Sequence, residues 1–418
     1  MVRADHLGVT PTRREALRFW LKLGLISFGG PVAQIAIMHR ELIEIRRWFD
    51  ERTFMNALNF AVLIPGPEAM QLAVWLGWRL HGAWGGMVAA LCFLLPAAVL
   101  LFALSFVYAM HGDVPLVAAA LNGLKAVAIA LIVQALVRIA RRALRGPLHV
   151  FLAAAALLLM VGRVLPFPVV VLCAALAGAL LGRVEGASAT PVPALARFPW
   201  RTLGAGVVLW AVPALAVFAL AGGDSLYLEV YRFFTTASLV TFGGAYAVLA
   251  WVNQQVVEVY GWLTQADTVA GLALAETTPG PLIIVLQFIG FMTGWNNAGP
   301  AGPAFTATVT ALLTSWAVFM PAVVLMLVGA PYVEKLTSNA RLGAALAGLT
   351  AAVVGVIASL AIAFGRSVLF PEGLGQPDVP ATVIAALAFA VLTWTRIDVL
   401  WVIAGGAVAG LAFGFAFA

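Results

Sequence analysis

Long apolar runs recur throughout this chain of 418 residues and limit what it can fold into. Hydrophobic residues occupy 63% of the positions and charged residues only 10%, whereas a soluble domain carries about 25% charged residues. The runs are about 17–25 residues long, which is enough for a helix to cross a hydrocarbon core of roughly 30 Å. They are continuous rather than alternating, which argues against a β-barrel. The sequence therefore predicts an all-α polytopic membrane protein.

About 13 hydrophobic segments are predicted along the chain. They lie at 17–37, 54–80, 84–110, 115–137, 147–163, 166–182, 203–221, 226–250, 265–294, 304–330, 341–365, 379–395 and 397–417. We divide the chain into a first repeat (1–182), a cytoplasmic connector (183–202), a linking transmembrane helix (203–225) and a second repeat (226–418).

Two motifs that occur in both halves indicate an internal repeat. Phe-Gly-Gly occurs at 28–30 and 242–244, and Pro-Gly-Pro occurs at 65–67 and 279–281; both pairs are 214 residues apart. Apolar composition alone does not readily place two such motifs at one offset. The unmatched segment 203–221 makes the number of segments between the repeat starts odd, so the second repeat is predicted to be inverted. Inverted repeats are typical of alternating-access transporters.

Basic residues predict the orientation. With the N-terminus in the cytoplasm, most Lys and Arg residues fall inside: Arg13, Arg14, Arg18, Arg79, Arg138, Arg141, Arg142, Arg145, Arg183, Arg197, Arg201, Lys335, Arg341 and Arg396. The stretch Arg40–Arg52 is the exception, unless segments 17–37 and 54–80 re-enter the cytoplasmic side; the sequence leaves both arrangements open. Met38, Leu42, Ile45 and Phe49 share one helical face there, which predicts a helix lying at the membrane interface.

Pro-Gly-Pro within an apolar segment predicts a broken helix. Each proline removes a backbone donor and clashes with the preceding turn, and open backbone is tolerated at membrane depth only where it faces protein or water. Pro67 and Pro281 are expected at the first position of new half-helices, whose free N–H groups would form an anion site. The paired glycines Gly29, Gly30, Gly243 and Gly244 predict a second set of breaks. The alternative is a set of kinks that serve packing only.

Ionisable residues inside the apolar segments are few and are functional candidates. Glu68 either complements the helix dipole or titrates beside the anion site, and Lys125 either contacts a dianion or pairs with Glu68 or Glu276. The candidate substrate-binding or coupling residues are Gly29, Gly30, Pro65, Gly66, Pro67, Glu68, Gln71, Lys125, Gly243, Gly244, Glu276, Thr277, Thr278, Pro279, Gly280 and Pro281. No motif for nucleotide hydrolysis or for a metalloprotease is present, so an enzyme, a metal site and a cofactor are not predicted.

The motifs resemble those of the chromate ion transporter family. The resemblance lies in Phe-Gly-Gly-Pro-x-Ala-x-Ile-Ala at 28–36, Pro-Gly-Pro-Glu-Ala-Met-Gln-Leu-Ala at 65–73 and Glu-Thr-Thr-Pro-Gly-Pro-Leu at 276–282. It covers the chain from about residue 14 to the end. It implies a long-chain, two-domain chromate transporter, an antiporter that exports chromate across the cytoplasmic membrane using the proton-motive force and thereby confers chromate resistance.

The expected partners are chromate, protons and the lipid bilayer, with no nucleic acid, and a homodimer is compatible with the sequence. Sulfate has the same tetrahedral shape and charge as chromate, so a sulfate transporter, or a channel for a small oxyanion, stays open as an alternative.

Overall fold

The computed structural model describes residues 11–182, 198–333 and 340–416. Within these ranges there are sixteen helices and no β-strand. The first half contains α1 (Arg13–Ile26), α2 (Gly30–His39), α3 (Glu51–Leu63), α4 (Glu68–His111), α5 (Pro115–Ala143), α6 (Pro147–Val161) and α7 (Phe167–Leu181). After α8 (Trp200–Ala221), the second half contains α9 (Leu226–Leu239), α10 (Ala245–Gln254), α11 (Gln265–Glu276), α12 (Val285–Asn296), α13 (Pro303–Gly329), α14 (Ala340–Leu369), α15 (Val379–Trp394) and α16 (Val399–Ala416).

Helix length and composition confirm the prediction of an all-α polytopic membrane protein. Five helices are long and apolar enough to cross a membrane, and they are α4, α5, α8, α13 (continued to Tyr332) and α14. The number of thirteen segments stays a prediction. Most of the connector predicted at 183–202, together with Arg183, Arg197 and Lys335, lies outside the described residues.

The four segments that carry the repeated motifs each contain two helices rather than one. Segment 17–37 is divided into α1 and α2, segment 54–80 into α3 and the start of α4, segment 226–250 into α9 and α10, and segment 265–294 into α11 and α12. The helices separate at the Phe-Gly-Gly and Pro-Gly-Pro motifs, where the sequence predicts breaks. We number these four helix pairs as the first to the fourth hairpin, and we call the turn of each its tip and the other end its open end.

The first hairpin returns to the end of the bundle at which it begins. Lys22 Nζ of α1 lies 2.8 Å from Glu41 Oε1, just beyond α2, although 19 residues of continuous helix would separate them by about 28 Å. The guanidinium of Arg46 lies 5.2 Å from the ring centroid of Phe19, in the middle of α1. This contact requires α2 to run antiparallel to α1, so segment 17–37 re-enters rather than spans.

The second hairpin also re-enters from that end. Trp48, which precedes α3, packs against Phe19 with ring centroids 5.5 Å apart. Helix α4 reverses at His81 and Gly82, where Gly82 has φ 67° and ψ −161°. Beyond this reversal, the ring of Trp84 lies 5.5 Å from the guanidinium of Arg13. Both open ends of the second hairpin therefore lie beside the start of α1.

The third and fourth hairpins have the same form in the second half. Phe233 of α9 packs against Trp262, beyond α10, with ring centroids 5.7 Å apart. Asn296 Nδ2, at the end of α12, donates to the carbonyl oxygen of Trp262, just before α11, over 3.3 Å. Both pairs therefore return to the end of the bundle at which they start.

The hairpins of the two halves enter the bundle from opposite ends, as the course of α4 shows. Trp84 lies at the open end of the first two hairpins, Ala97 lies at the tip of the fourth, and Phe106 contacts Trp295 near the open end of the fourth, with ring centroids 6.0 Å apart. Helix α13 runs the other way, from Thr306 beside Gly294 to Ala330, whose carbonyl accepts from Trp75 Nε1. The tips consequently meet in the middle of the bundle.

The helix bounds and packing support the predicted repeat. Helices α3 and α11 begin 214 residues apart, and α2 and α10 each continue into a π-helical turn, at Arg40–Ile45 and Gln255–Val259. Packing between the halves is reciprocal, because α5 packs against α15 and α16 while α14 packs against α6 and α7. Helix α8 has no counterpart and packs against α9 and α13.

The stretch Arg40–Arg52 lies at the same end of the bundle as Arg13, which agrees with the re-entrant arrangement, one of the two that the sequence leaves open. The helix predicted there ends earlier than expected, at Ile45, and its place at the membrane interface stays a prediction. Met38 and Leu42 are buried as expected, but Ile45 is 62% exposed, and a left-handed backbone at Arg47 (φ 53°) ends the helical path before Phe49.

Candidate functional site

The four tips are joined crosswise by backbone hydrogen bonds. The N–H of Gly66, at the second tip, donates to the carbonyl oxygen of Thr241, at the third, over 2.8 Å. The N–H of Gly280, at the fourth tip, donates to the carbonyl oxygen of Ser27, at the first, over 2.8 Å. Donors and acceptors are each 214 residues apart, so each half holds the other in the same way.

Both Pro-Gly-Pro glycines occupy positions that an L side chain would disrupt. Gly66 has φ +134° and Gly280 has φ +101°, in the region that favours glycine. A Cβ atom at position 66 would lie 2.7 Å from the Cβ of Ala322, and one at position 280 would lie 2.7 Å from the Cβ of Ala97. Each glycine thus lets its tip approach the long helix of the other half.

The Phe-Gly-Gly glycines form the turns of the first and third hairpins. Gly29, Gly30, Gly243 and Gly244 all have φ between +74° and +99°. A Cβ added at Gly30 or Gly244 would meet no other described atom within 4 Å. These two glycines therefore border open space beside the starts of α2 and α10.

Helix starts at the tips have no side-chain cap. Thr12, Asp50 and Thr264 cap α1, α3 and α11 at the open ends, whereas α2, α4, α10 and the 3₁₀ turn Leu282–Ile284 that leads into α12 have no such bond. First-turn N–H groups have no partner within their own helix and carry partial positive charge.

These uncapped helix starts are neighbours. The tips that carry them are in contact: Gln34 of α2 donates to Gly280, the N–H of Gly66 before α4 donates to Thr241 before α10, and the 3₁₀ turn packs against α10. Pro67 and Pro281 occupy the capping position, one residue earlier than the sequence predicts. Convergent helix starts can hold a small oxyanion through backbone donors.

Hydroxyl groups around the tips use their protons on backbone carbonyls of the preceding turn. The donors are Ser27 to Leu23 (2.6 Å), Thr241 to Ala237 (2.6 Å), Thr277 to Leu274 (2.6 Å) and Thr278 to Ala275 (2.7 Å). These hydroxyl groups can therefore act toward a ligand only as hydrogen-bond acceptors, through the lone pairs of their oxygen atoms.

Two glutamine side chains contact the tips. Gln34 Nε2 donates to the carbonyl oxygens of Gly280 (2.6 Å) and Ser27 (3.2 Å), which ties the first tip to the fourth. Gln71 Nε2 donates to the carbonyl oxygen of Pro65 over 2.8 Å. Both side chains are fully buried, and both Oε1 atoms have no hydrogen-bond partner among the described residues. Sequence reasoning identified Gln71 but missed Gln34, although a lone amide one turn after a Phe-Gly-Gly break is a usable signal.

Glu276 ends α11 at the fourth tip, and its Oε1 accepts a hydrogen bond of 2.6 Å from the hydroxyl of Tyr246. Sequence reasoning also missed Tyr246. The matching positions of the first half, Val62 and Val32, are apolar. The two halves therefore differ in chemistry where they agree in backbone geometry.

Glu68 begins α4 directly after Pro-Gly-Pro. It lies three residues before Gln71 and so on the same helical face. Within the described part of the chain, its carboxylate makes no ion pair and no side-chain hydrogen bond.

Lys125 interacts electrostatically with a different acid from those the sequence suggests, and it forms no ion pair with it among the described residues. Asp267, near the start of α11, is the acidic residue whose charge acts on Lys125, and its Oδ1 accepts from the Tyr108 hydroxyl over 2.8 Å. Among the described residues, Lys125 forms no ion pair with Glu68 or Glu276. A pairing of Lys125 with either glutamate is therefore not supported.

Comparisons with known proteins agree with the motifs. The family model of the chromate transporter matches twice, at residues 14–179 and 228–411. The "Chromate transport protein" of Pseudomonas aeruginosa is 36% identical over 94% of this chain and 90% of its own length. The "Probable chromate transport protein" of Synechococcus elongatus is 29% identical over 92% and 90%, and the "Chromate transport protein" of Cupriavidus metallidurans is 26% identical over 97% and 94%. No solved structure matches the chain. The chain belongs to the chromate transporter family, and it is accordingly a transporter and not an enzyme.

Proposed function

We propose that this protein exports chromate from the cytoplasm across the cytoplasmic membrane, driven by the proton-motive force. The observation that carries the proposal is the convergence of four uncapped helix starts, at α2, α4, α10 and Leu282–Ile284. Their unpaired N–H groups suit an oxyanion that must lose its water shell at membrane depth. Relatives named as chromate transport proteins identify the oxyanion.

Alternating access is the proposed mechanism, with the two halves as inverted-topology repeats. Hairpins that enter from opposite ends and meet at their tips would let the site open to each side in turn. The crosswise bonds from Gly66 to Thr241 and from Gly280 to Ser27 would hold the tips together when the halves are closed on the substrate. Rocking of one half against the other would open one path at a time.

The distribution of charge supports a cytoplasmic N-terminus. The end at which the first two hairpins open carries Arg13, Arg14, Arg18, Arg40, Arg46, Arg47, Arg52 and Arg79, and α5 ends there with Arg138, Arg141 and Arg142. The opposite end carries fewer arginines, namely Arg163, Arg232 and Arg366, and more acids, namely Asp113, Asp224, Glu229, Glu258, Asp267, Glu372 and Asp378. Positive residues accumulate on the cytoplasmic side of membrane proteins.

The membrane potential favours export. Moving one charge through the potential is worth about 2.3 kcal/mol per 100 mV. Expelling a dianion from a negative interior therefore gains roughly 4.6 kcal/mol at about 100 mV, which corresponds to a gradient of more than about a thousandfold. We assign the proton-coupling role to Glu276, because it is a carboxylate at the tips whose described partner is the neutral hydroxyl of Tyr246.

A transporter or channel for sulfate or another small oxyanion is the alternative, since backbone N–H donors alone discriminate weakly between tetrahedral anions. A channel would conduct without saturation, whereas alternating access gives saturable and slow turnover.

Chromate uptake into everted, energised membrane vesicles tests the proposal, because their lumen corresponds to the cell exterior. Uptake that requires both the protein and energisation, and that saturates, is expected. Absence of protein-dependent uptake in vesicles that accumulate a control substrate would contradict the chromate assignment. Inhibition of uptake by equimolar sulfate would favour the broader oxyanion transporter.

A further inference from the structure

We propose that a patch of five arginines binds the phosphate headgroup of an anionic phospholipid, at the end of the bundle where the first two hairpins open. The arginines of this basic patch lie at the end of α5 and in the turn 395–398, which joins α15 to α16. The inference goes beyond the proposed function, and it does not depend on which oxyanion the protein carries. In the orientation proposed above, the lipid belongs to the cytoplasmic leaflet.

Four of the arginines share one face at the end of α5. Arg138, Arg141, Arg142 and Arg145 are spaced at positions i, i+3, i+4 and i+7, which places side chains on the same side of a helix. Helix α5 ends at Ala143, and just beyond this end the Nε of Arg145 donates to the carbonyl oxygen of Arg142 over 3.0 Å. All four side chains are exposed, so they are available to a ligand.

Helix α16 brings the turn 395–398 level with these arginines. A Cβ atom added at Gly414 would meet Ala119 of α5, and one added at Gly406 would meet Val127. The two helices therefore run antiparallel, and eight residues toward the end of α5 correspond to eight residues toward the start of α16. At this register Arg138 is level with residue 395, at the beginning of the turn.

A hydrogen bond from α5 to α15 gives the same level. Gln134 lies one turn before Arg138 on the same face, and its Nε2 donates to the carbonyl oxygen of Leu392 over 2.6 Å. Leu392 is two residues before the end of α15. The face that carries the arginines therefore continues past the ends of α15 and α16, where Arg396 of the turn adds a fifth guanidinium.

The charge of the basic patch has no acidic partner in the described part of the chain. Residues 134–146 contain no Asp or Glu, and Asp398 is the single acid of the turn. The Oδ1 atom of Asp398 accepts from the backbone N–H of Leu400 over 2.9 Å, and none of the five arginines forms an ion pair with a described residue. Like charges three or four residues apart on a helix repel each other, so an anion bound among them is stabilising.

Two exposed tryptophans indicate that this anion is a lipid. Trp394 ends α15 and Trp401 lies in the first turn of α16, and they are 79% and 74% exposed. Tryptophan is enriched at the level of the lipid headgroups, and basic clusters at the cytoplasmic ends of membrane helices bind anionic headgroups. A phospholipid offers its phosphate to the guanidinium groups and its chains to the indole rings, whereas a free anion offers nothing to the rings.

A lipid in this position would connect the two halves of the protein, since α5 belongs to the first half and α15 and α16 belong to the second. It should therefore stabilise the packing of α5 against both helices. One arginine near an anionic lipid contributes a factor of about five in affinity, so the loss of two should weaken binding about 25-fold.

The test measures the melting temperature of the purified full-length protein in a neutral detergent with added short-chain lipid. Dioctanoyl phosphatidylglycerol should raise the Tm of the wild type saturably, by about 3 °C or more. Dioctanoyl phosphatidylcholine, which is zwitterionic, should not raise it. Inorganic phosphate and glycerol 3-phosphate, which lack the chains, should not raise it at the same concentration.

Arg142→Gln combined with Arg396→Gln removes one guanidinium from each side of the basic patch. The concentration of phosphatidylglycerol that gives half of the maximal Tm shift should rise about 25-fold. Arg142→Lys combined with Arg396→Lys should restore most of the affinity, because lysine also binds phosphate. Arg40→Gln combined with Arg52→Gln is the matched control: it removes two exposed arginines from the same end of the bundle and should leave that concentration unchanged.

Three results would overturn the inference. Equal stabilisation of the wild type by phosphatidylglycerol and phosphatidylcholine would show that the headgroup charge is not recognised, and equal stabilisation by inorganic phosphate would assign the basic patch to a free anion. An equal loss of response in the Arg40 and Arg52 control would show that only the net charge of this end matters. The comparisons on the wild type need no variant, so poor folding of a variant leaves them in place. Chromate takes no part in these measurements, so their failure leaves the proposed function intact.

Discussion

Substitution of the fourth-tip glycine, Gly280→Ala, is expected to impair transport by a calculable amount. Position 280 has φ +101°, and a left-handed backbone costs an alanine about 1–2 kcal/mol. The new Cβ would lie 2.7 Å from the Cβ of Ala97, and overpacking of this kind costs about 1–3 kcal/mol. The two costs add to about 2–5 kcal/mol. If they destabilise the arrangement of the tips that is competent for transport, the rate of chromate uptake should fall roughly 30-fold or more.

A second substitution separates the two costs. Ala97→Gly in the Gly280→Ala background removes the facing Cβ and leaves only the backbone cost, so the loss should shrink to roughly 5- to 30-fold. Gly66→Ala with Ala322→Gly is the related experiment in the other half, but the new Cβ would lie 2.7 Å from the Cβ of Ala322 and also 2.7 Å from Gln71 Nε2, so part of the steric cost remains there.

The assay is initial chromate uptake in everted vesicles, normalised to the amount of protein in the membrane and accompanied by the melting temperature of the purified protein. Gly204→Leu is the control, since Gly204 lies exposed on α8 and a Cβ there meets no described atom within 4 Å. The bulkier Gly66→Leu and Gly280→Leu should abolish transport and remain in the membrane. Wild-type uptake by both leucine variants, or a complete failure of Ala97→Gly to rescue, would refute the reasoning.

Three further predictions concern side chains at and near the tips. Gln34→Leu should reduce uptake about tenfold or more, because it removes two hydrogen bonds between buried partners; unchanged uptake would remove Gln34 from the site. Glu276→Gln should abolish the dependence of uptake on a pH gradient and preserve its dependence on the membrane potential, whereas Tyr246→Phe should only shift the pH profile of uptake. If uptake by Glu276→Gln still depends on the pH gradient, another residue must carry the coupled proton. Lys125→Ala should leave the apparent affinity for chromate within about threefold of wild type, because the acid near Lys125 is Asp267; a much larger rise in KM would return Lys125 to the substrate site.

Breaks in the helices could be predicted from the sequence because proline and paired glycines act locally. Proline removes its own N–H, and the glycines have φ angles that other residues rarely adopt. The positions of the breaks at 27–29 and 64–67, and their counterparts in the second half, follow from these residue types alone.

Re-entry of the hairpins could not be predicted, because it depends on contacts between residues far apart in the chain. Apolar runs such as 17–37 have the length of a spanning helix. The direction of α2 depends on the pairing of Lys22 with Glu41 and on the packing of Arg46 over Phe19, and no local pattern specifies these contacts. The charge of Arg40–Arg52 gave a hint, since a cytoplasmic position removes the exception to the distribution of basic residues.

The hydrogen-bond partners of single polar residues could not be predicted from local sequence patterns either. Gln34 is one amide in an apolar run, and its role depends on Gly280, which lies 246 residues away in the sequence. Tyr246 could be taken for an ordinary aromatic residue of a membrane helix until Glu276 is placed against it. Comparison of the halves at the offset of 214 would have found both, since Val248 and Val32 stand at the matching positions.

The most direct test of the account is the location of bound chromate in the protein. Crystals of the protein soaked with chromate would give an anomalous signal from chromium in X-ray data collected at its absorption edge. The account predicts one peak in the middle of the bundle, among the starts of α2, α4 and α10 and the turn Leu282–Ile284. A peak beside Lys125 and Asp267 instead, with none at the tips, would contradict it.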